Sequence, residues 1–180
     1  CGIGFVAHLK GEKSHQLVDD ALQILVNLDH RGACGCEDNT GDGAGILMQM
    51  PDKFLRHVTE GLNFELPDVG QYGVGMIYLP MDREQRHDCE RELVAMVEAE
   101  GMDVIGWRSV PTDNFNLGAT AKKYEPFVRQ VFIKRSDDIE TPDRFEQKLY
   151  VLRRVITTAL QAMPGGEYCY IPSLSYKTIV

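Results

Sequence analysis

Cys1 carries the chemistry that stands out in this chain: a thiol and, if nothing precedes the residue, a free α-amine on the same carbon. α-Amines titrate close enough to neutrality that a usable fraction is unprotonated near pH 7. One residue can therefore supply both nucleophile and general base, directly or through one water. A chain that begins on Cys rather than Met implies removal of whatever preceded it. Three other origins of the residue compete at this point: accidental trimming, a processed lipoprotein cysteine, and an ordinary buried cysteine. The lipoprotein reading fits poorly, because a polar tether normally follows the lipidated residue. Here Gly2 to Leu9 alternates small and β-forming apolar residues, as in a strand entering a core.

Further groups with chemical potential follow at His30-Arg31-Gly32-Ala33 and in the glycine-rich loop Thr40-Gly41-Asp42-Gly43-Ala44-Gly45. Such glycines let backbone and one acidic side chain, Asp42, approach a neighbour closely, and the planar Arg31 fork can hold a fixed hydrogen-bonded arrangement near a nucleophile. Each also has a plain structural role: Arg31 as a surface charge, Gly32 as a helix cap, Asp42 as a turn residue. The loop lacks the Gly-Lys-Ser/Thr ending of a phosphate-binding loop and carries only part of the dinucleotide pattern. Asp38-x-Thr40-x-Asp42-Gly43 begins like a calcium loop, but Gln49 stands where its Glu is required and a strand follows it. His30, Cys34 and Cys36 lack a fourth ligand at sensible spacing, so small structural cysteines are expected and no metal.

The elements that must position these groups can be read from periodicity. Ser14 can cap a helix in which Leu17, Ala21, Ile24, Leu25 and Leu28 share one face, stopping at Arg31-Gly32. Ile46 to Met50 suits a short buried strand, and Pro51 opens a helix through Glu60. Gln71 to Leu79, Val104 to Val110 and Phe127 to Lys134 read as strands. Asp82 caps a helix with Cys89, Leu93, Met96 and Val97 inward and Gly101 as its stop, and Pro111 to Lys123 reads as irregular. Thr141-Pro142 opens the strongest helix, aligning Phe145, Leu149, Leu152, Ile156, Ala159 and Met163 before Pro164-Gly165-Gly166 ends it. Short strands at Tyr168 to Ile171 and Tyr176 to Val180 close the chain, the last without any turn or tail. A polypeptide that continues past residue 180 is expected. Helices and strands mix throughout, which gives an α/β or α+β class.

The 180 residues are 43% hydrophobic and 26% charged, as in an ordinary globular domain. A net charge of −8 with no basic block argues against nucleic acid and anionic membrane as partners. Five cysteines, an odd number in a chain large enough to build a core, indicate no disulfide framework and favour a reducing compartment. No apolar run approaches the ~20 residues that cross a bilayer, and no signal-peptide pattern opens the chain. A cytoplasmic location is expected, or a plastid if the source is a plant or alga.

Taken together, Cys1-Gly2-Ile3-Gly4-Phe5, Leu28-Asp29-His30-Arg31-Gly32-Ala33 and Thr40-Gly41-Asp42-Gly43-Ala44-Gly45-Ile46-Leu47 resemble the class II, N-terminal-nucleophile glutamine amidotransferase domain of glutamate synthase large subunits. Gly106-Trp107-Arg108, Val110-Pro111-Thr112-Asp113, Leu117-Gly118, Gln130-Val131-Phe132-Ile133 and Tyr170-Ile171-Pro172-Ser173-Leu174-Ser175 extend the resemblance over the whole chain. It implies an α+β fold, the four-layer αββα sandwich of N-terminal-nucleophile hydrolases, with residues 1–180 as the amino-terminal portion of one such domain and the rest beyond residue 180. It implies hydrolysis of L-glutamine to L-glutamate and ammonia through a γ-glutamyl thioester on Cys1, with Arg31, Gly32 and Asp42 supporting the pocket. A synthase domain or subunit would consume the ammonia. No cofactor is expected in this portion; the resemblance puts FMN and an iron-sulfur cluster in later domains, fed by NAD(P)H or ferredoxin. The family's Asn-Gly oxyanion pair has no counterpart here, since no Asn-Gly dipeptide occurs. That pair and the arginine and aspartate that grip glutamine's α-groups are expected in the continuation. A stand-alone amidotransferase subunit and a non-catalytic module of the same fold remain the alternatives.

Overall fold

The computed structural model describes residues 1–35, 37 and 39–180. In chain order the elements are α1 (His15–Asn27), β1 (Met48–Gln49), α2 (Asp52–Thr59), β2 (Tyr72–Leu79), α3 (Arg83–Ala99), β3 (Asp103–Ser109), α4 (Ala119–Lys123), β4 (Phe127–Lys134), α5 (Pro142–Gln161), β5 (Tyr170–Ser175) and β6 (Thr178–Ile179). They fall into two compact units, Cys1–Met48 with Asp113–Glu125, and Gln49–Thr112 with Pro126–Val180. The class is α+β, with antiparallel pairing in the main sheet.

The second unit holds the core. Its sheet runs in the order β3-β4-β2-β5, with Val74 opposite Phe132 and Ile77 opposite Arg129 in the β2–β4 register. Side chains alternate across a strand, so Gly73, Gly75, Ile77 and Leu79 share the face covered by α3 and α5. There Cys89, Leu93 and Val97 of α3 and Phe145, Leu149, Leu152, Ile156 and Leu160 of α5 are buried. The close approach of α5 depends on Gly73, where an added Cβ would lie 2.6 Å from Leu149 Cδ1. Both helices start as their sequences dictate: the Asp82 carboxylate accepts from the Gln85 N–H at 2.9 Å, and Thr141 Oγ1 accepts from the Arg144 N–H at 3.3 Å. The opposite face carries Phe132, packed against Phe64 and Tyr72 at ring-centroid distances of 5.3 and 6.5 Å. Tyr72 donates to Asp52 of α2 at 2.7 Å, and Met50 N–H donates to the Lys177 carbonyl at 2.8 Å.

The first unit is built differently, and most departures from the sequence expectations lie there. Cys1 to His8 forms no strand, and Ile3 and Phe5 are 96% and 92% exposed. A strand needs a neighbour to take its ladder bonds, and this segment has none among the described residues. Its glycines serve close approach to α1 instead: a Cβ on Gly2 would lie 2.8 Å from Leu28 Cδ2, and one on Gly4 2.5 Å from Ile24 Cγ2. The apolar stripe of α1 is half-buried, as its spacing predicts, but the α-helix stops at Asn27 rather than at Arg31-Gly32. Asp29–Arg31 is a separate 3₁₀ turn, closed by Arg31 N–H to Leu28 O (2.8 Å) and Gly32 N–H to Asp29 O (3.0 Å). Ser14 stands at the N-cap with no side-chain capping bond. The strand expected over Ile46 to Met50 shrinks to β1, the segment expected to be irregular contains α4, and Gly166–Tyr168 is a 3₁₀ turn, so β5 begins at Tyr170.

Candidate active site

Cys1 and Arg31, thirty positions apart, meet through two backbone-directed bonds. The Cys1 α-amine donates to the Arg31 carbonyl at 3.1 Å, and Arg31 Nη2 donates to the Cys1 carbonyl at 3.5 Å. Arg31 closes the 3₁₀ turn Asp29–Arg31 that follows α1, and its carbonyl is the acceptor for the Cys1 amine. The Cys1 thiol is free and exposed. With one N–H held by a carbonyl, an unprotonated amine keeps its lone pair available to take a proton.

Asp42 acts one step back. Its carboxylate accepts from the Ala33 N–H at 3.0 Å, while its own N–H donates to the Ala33 carbonyl, also at 3.0 Å. An antiparallel bridge between Cys34 and Gly41 continues this neck. Gly41 is required by crowding, since a Cβ there would lie 2.8 Å from the Ala33 oxygen. Gly32 caps the 3₁₀ turn with extended backbone (φ −81°, ψ 157°), so its value is lack of bulk rather than a left-handed conformation. The structure thus brings Cys1 and Arg31 into contact, whereas Asp42 joins them only through Ala33 and Gly32. His30 turns away and pairs with the Asn27 carbonyl at 3.0 Å.

Sequence reasoning passed over Glu37. Its carboxylate accepts from Thr40 Oγ1 at 2.7 Å and from the Thr120 N–H at 3.2 and 3.4 Å. The Thr40 hydroxyl, then the Thr120 amide, hold its carboxyl below the usual carboxylate range. The Glu37-x-x-Thr40 spacing is a local signal, but nothing in the sequence points across the 83 positions to Thr120. Cys36 and Asp38, invoked in the metal and calcium readings, lie outside the described residues. Among the described residues no group of three or more His, Cys, Asp or Glu side chains could hold a metal ion, and no helix is long and apolar enough to cross a membrane.

The model of the class-II glutamine amidotransferases matches residues 1–180, and the chain belongs to that family. Within it, the chain is 44% identical over its full length to the glutamate synthase [NADPH] large chain of Bacillus subtilis. It is 35% identical over its full length to ferredoxin-dependent glutamate synthase 2, chloroplastic, of Arabidopsis thaliana, and 36% identical to the glutamate synthase [NADH] of Schizosaccharomyces pombe. It spans 12%, 11% and 9%, respectively, of the lengths of these relatives.

Proposed function

We propose that this chain is the nucleophile-bearing portion of a glutaminase that feeds ammonia to a glutamate synthase. Cys1 Sγ attacks the γ-carboxamide carbon of L-glutamine while the Cys1 amine takes the thiol proton. The amine then delivers that proton to the departing nitrogen, so that the C–N bond breaks, ammonia leaves and a γ-glutamyl thioester remains. Water adds to the thioester and gives up a proton to the Cys1 amine, the C–S bond breaks, L-glutamate is released, and the amine passes that water-derived proton to sulfur. Arg31 holds the Cys1 backbone from both sides, and Asp42 with Gly32 keeps the Arg31 turn in place. A synthase region would combine the ammonia with 2-oxoglutarate, using a ferredoxin- or pyridine-nucleotide-derived electron pair delivered elsewhere in the polypeptide. The relatives' names and their much greater length support that context.

The observation that carries this reading is the amine-to-Arg31 carbonyl bond beside the exposed Cys1 thiol. In the full-length polypeptide, Cys1→Ala should abolish glutamine-dependent glutamate formation while ammonia-dependent formation survives. A residue retained before Cys1 should act similarly, because it converts the amine to a non-basic amide. Normal glutamine turnover in Cys1→Ala would sink the proposal.

A further inference from the structure

The loop from Ala33 to Asp42 is closed at its neck by the paired Ala33–Asp42 bonds and by Gly35 N–H to Thr40 O at 2.6 Å. Its far end is tied to a segment more than seventy residues away. Asn39 Nδ2 donates to the Asn116 carbonyl at 2.8 Å, and the Glu37 carboxylate takes the Thr120 N–H together with the Thr40 hydroxyl. Gly118 makes room for this: a Cβ at that position would collide with both Glu37 Oε2 and Thr40 Oγ1. Gly118 is also the one buried residue of the first unit among those described. A carboxylate, an amide, a hydroxyl and a missing side chain thus meet at one point.

We propose that Glu37 is a positioning residue of the glutaminase: by clasping the Ala33–Asp42 loop to the Asn116–Thr120 segment, it fixes the neck from which Arg31 reaches Cys1. The inference rests on the function proposed above. The chain of contact is short. The clasp sets the loop tip, the tip sets Thr40 and Asp42, Asp42 holds Ala33, and Ala33 lies two residues from the carbonyl that takes the Cys1 amine. Thr40 and Thr120 keep Glu37 an ionised acceptor at neutral pH, and a charged acceptor makes stronger bonds than a neutral one. Neither Glu37 nor its partners need touch glutamine. Their loss would let the Arg31 turn drift, and small misplacements at a reacting centre are expensive in rate.

The test is Glu37→Ala in the full-length polypeptide, read by glutamine- and ammonia-dependent kinetics and by hydrogen exchange of its peptides. The expected result is a fall of about 10- to 100-fold in kcat/KM for glutamine, with ammonia-dependent turnover unchanged. Amide exchange should accelerate in residues 29–42 and 117–124 and stay at the wild-type rate elsewhere. Glu37→Gln, which keeps an acceptor oxygen without the charge, should recover part of the loss. If Glu37→Ala does not fold, Thr40→Val removes the shortest bond to the carboxylate and should give the same pattern more weakly. Glutamine kinetics within about twofold of wild type, or equal loss of both activities with a lowered Tm, overturns the proposal. A Cys1→Ala protein that keeps glutamine turnover would instead overturn the function itself, and exchange at the two segments would still report whether the clasp exists.

Discussion

At the scale of single residues, the two exposed cysteines described in the first unit contrast with the two buried in the second. Cys89 and Cys169 bring their sulfurs to 3.7 Å inside the core. Burial, then the neighbouring Cys89, pushes the Cys169 thiol up to about 12, and burial also raises Cys89. The thiolate is the reactive form, so a maleimide at neutral pH should label Cys1 and Cys34 and spare Cys89 and Cys169 until the chain is unfolded. Prompt labelling of Cys169 in the native protein would contradict this. The same shifts have a defined sign in stability. An unfolded thiol loses its proton at about pH 8.5 while the folded pair keeps its protons, so the native state binds more protons above that point. Stability is then full below about pH 8.5 and declines as pH rises toward 12. A Cys89→Ala, Cys169→Ala double variant should show a flatter alkaline decline in urea midpoint than the wild type. Arg31 carries a second residue-scale expectation. Its fork reaches the Cys1 carbonyl at 3.5 Å from an exposed turn, so Arg31→Lys should cut glutamine turnover while moving Tm little. Parallel loss of stability and activity would make it a scaffold residue.

Secondary-structure elements differ in how much of their fate is written locally. α5 and α3 were legible because a buried stripe at helical spacing, an N-cap acceptor and a stop glycine agree; Gly101 (φ 73°) and Gly165 (φ 76°) adopt the left-handed backbone that such stops use. β4 was legible to the residue at both ends. The Cys1–Ala7 segment was not, because its Gly-apolar alternation serves contact with Ile24 and Leu28 of α1 rather than a ladder. Likewise, an apparently continuous helix into Arg31 conceals the 3₁₀ turn Asp29–Arg31, since propensity does not separate one turn type from the next. Cys1 was legible as a candidate from its type and position, and Glu37 was not, because a bond spanning 83 positions leaves no periodic trace. Packing between elements can be tested at Gly73. Gly73→Ala forces a methyl against Leu149 and should cost about 1–3 kcal/mol, while Leu149→Ala opens a cavity and should cost about 2–5 kcal/mol. The double variant fills the cavity with the new methyl. Its cost should fall at least about 1 kcal/mol short of the sum in chemical denaturation, and strict additivity would show that the two sites do not share this contact.

For the whole molecule, the two units have unequal means of stability. The Gln49–Thr112 and Pro126–Val180 unit encloses a cluster running from Ile77 through Leu93 and Val131 to Ile156 and Leu174. The unit that carries Cys1 buries no hydrophobic side chain among its described residues, and it exposes Ile3, Phe5 and Phe115 at 83% or more. Its order rests on turns, glycine contacts and the Glu37, Asn39 and Asp42 bonds, which lie at or near the surface where water competes for the same groups. Burial of apolar surface is the main favourable term in folding, so this unit should open at low free energy when the 180 residues are expressed alone. Hydrogen exchange should be fast through 1–48 and 113–125 and slow in β2, β4 and α5. Exposed apolar residues should also make the isolated piece prone to association. On the function proposed above, a polypeptide that extends past residue 180 into the rest of the glutaminase domain should protect the Cys1 unit and raise ammonia release from glutamine by ~10²- to 10³-fold or more, the factor associated with gaining an oxyanion donor. The short chain's turnover, measured as ammonia released per mole at saturating glutamine, decides the matter. Turnover equal to that of the extended chain would mean that a complete glutaminase site lies within residues 1–180, and equal exchange protection would mean that the exposed face around Phe5 is covered by nothing in the continuation.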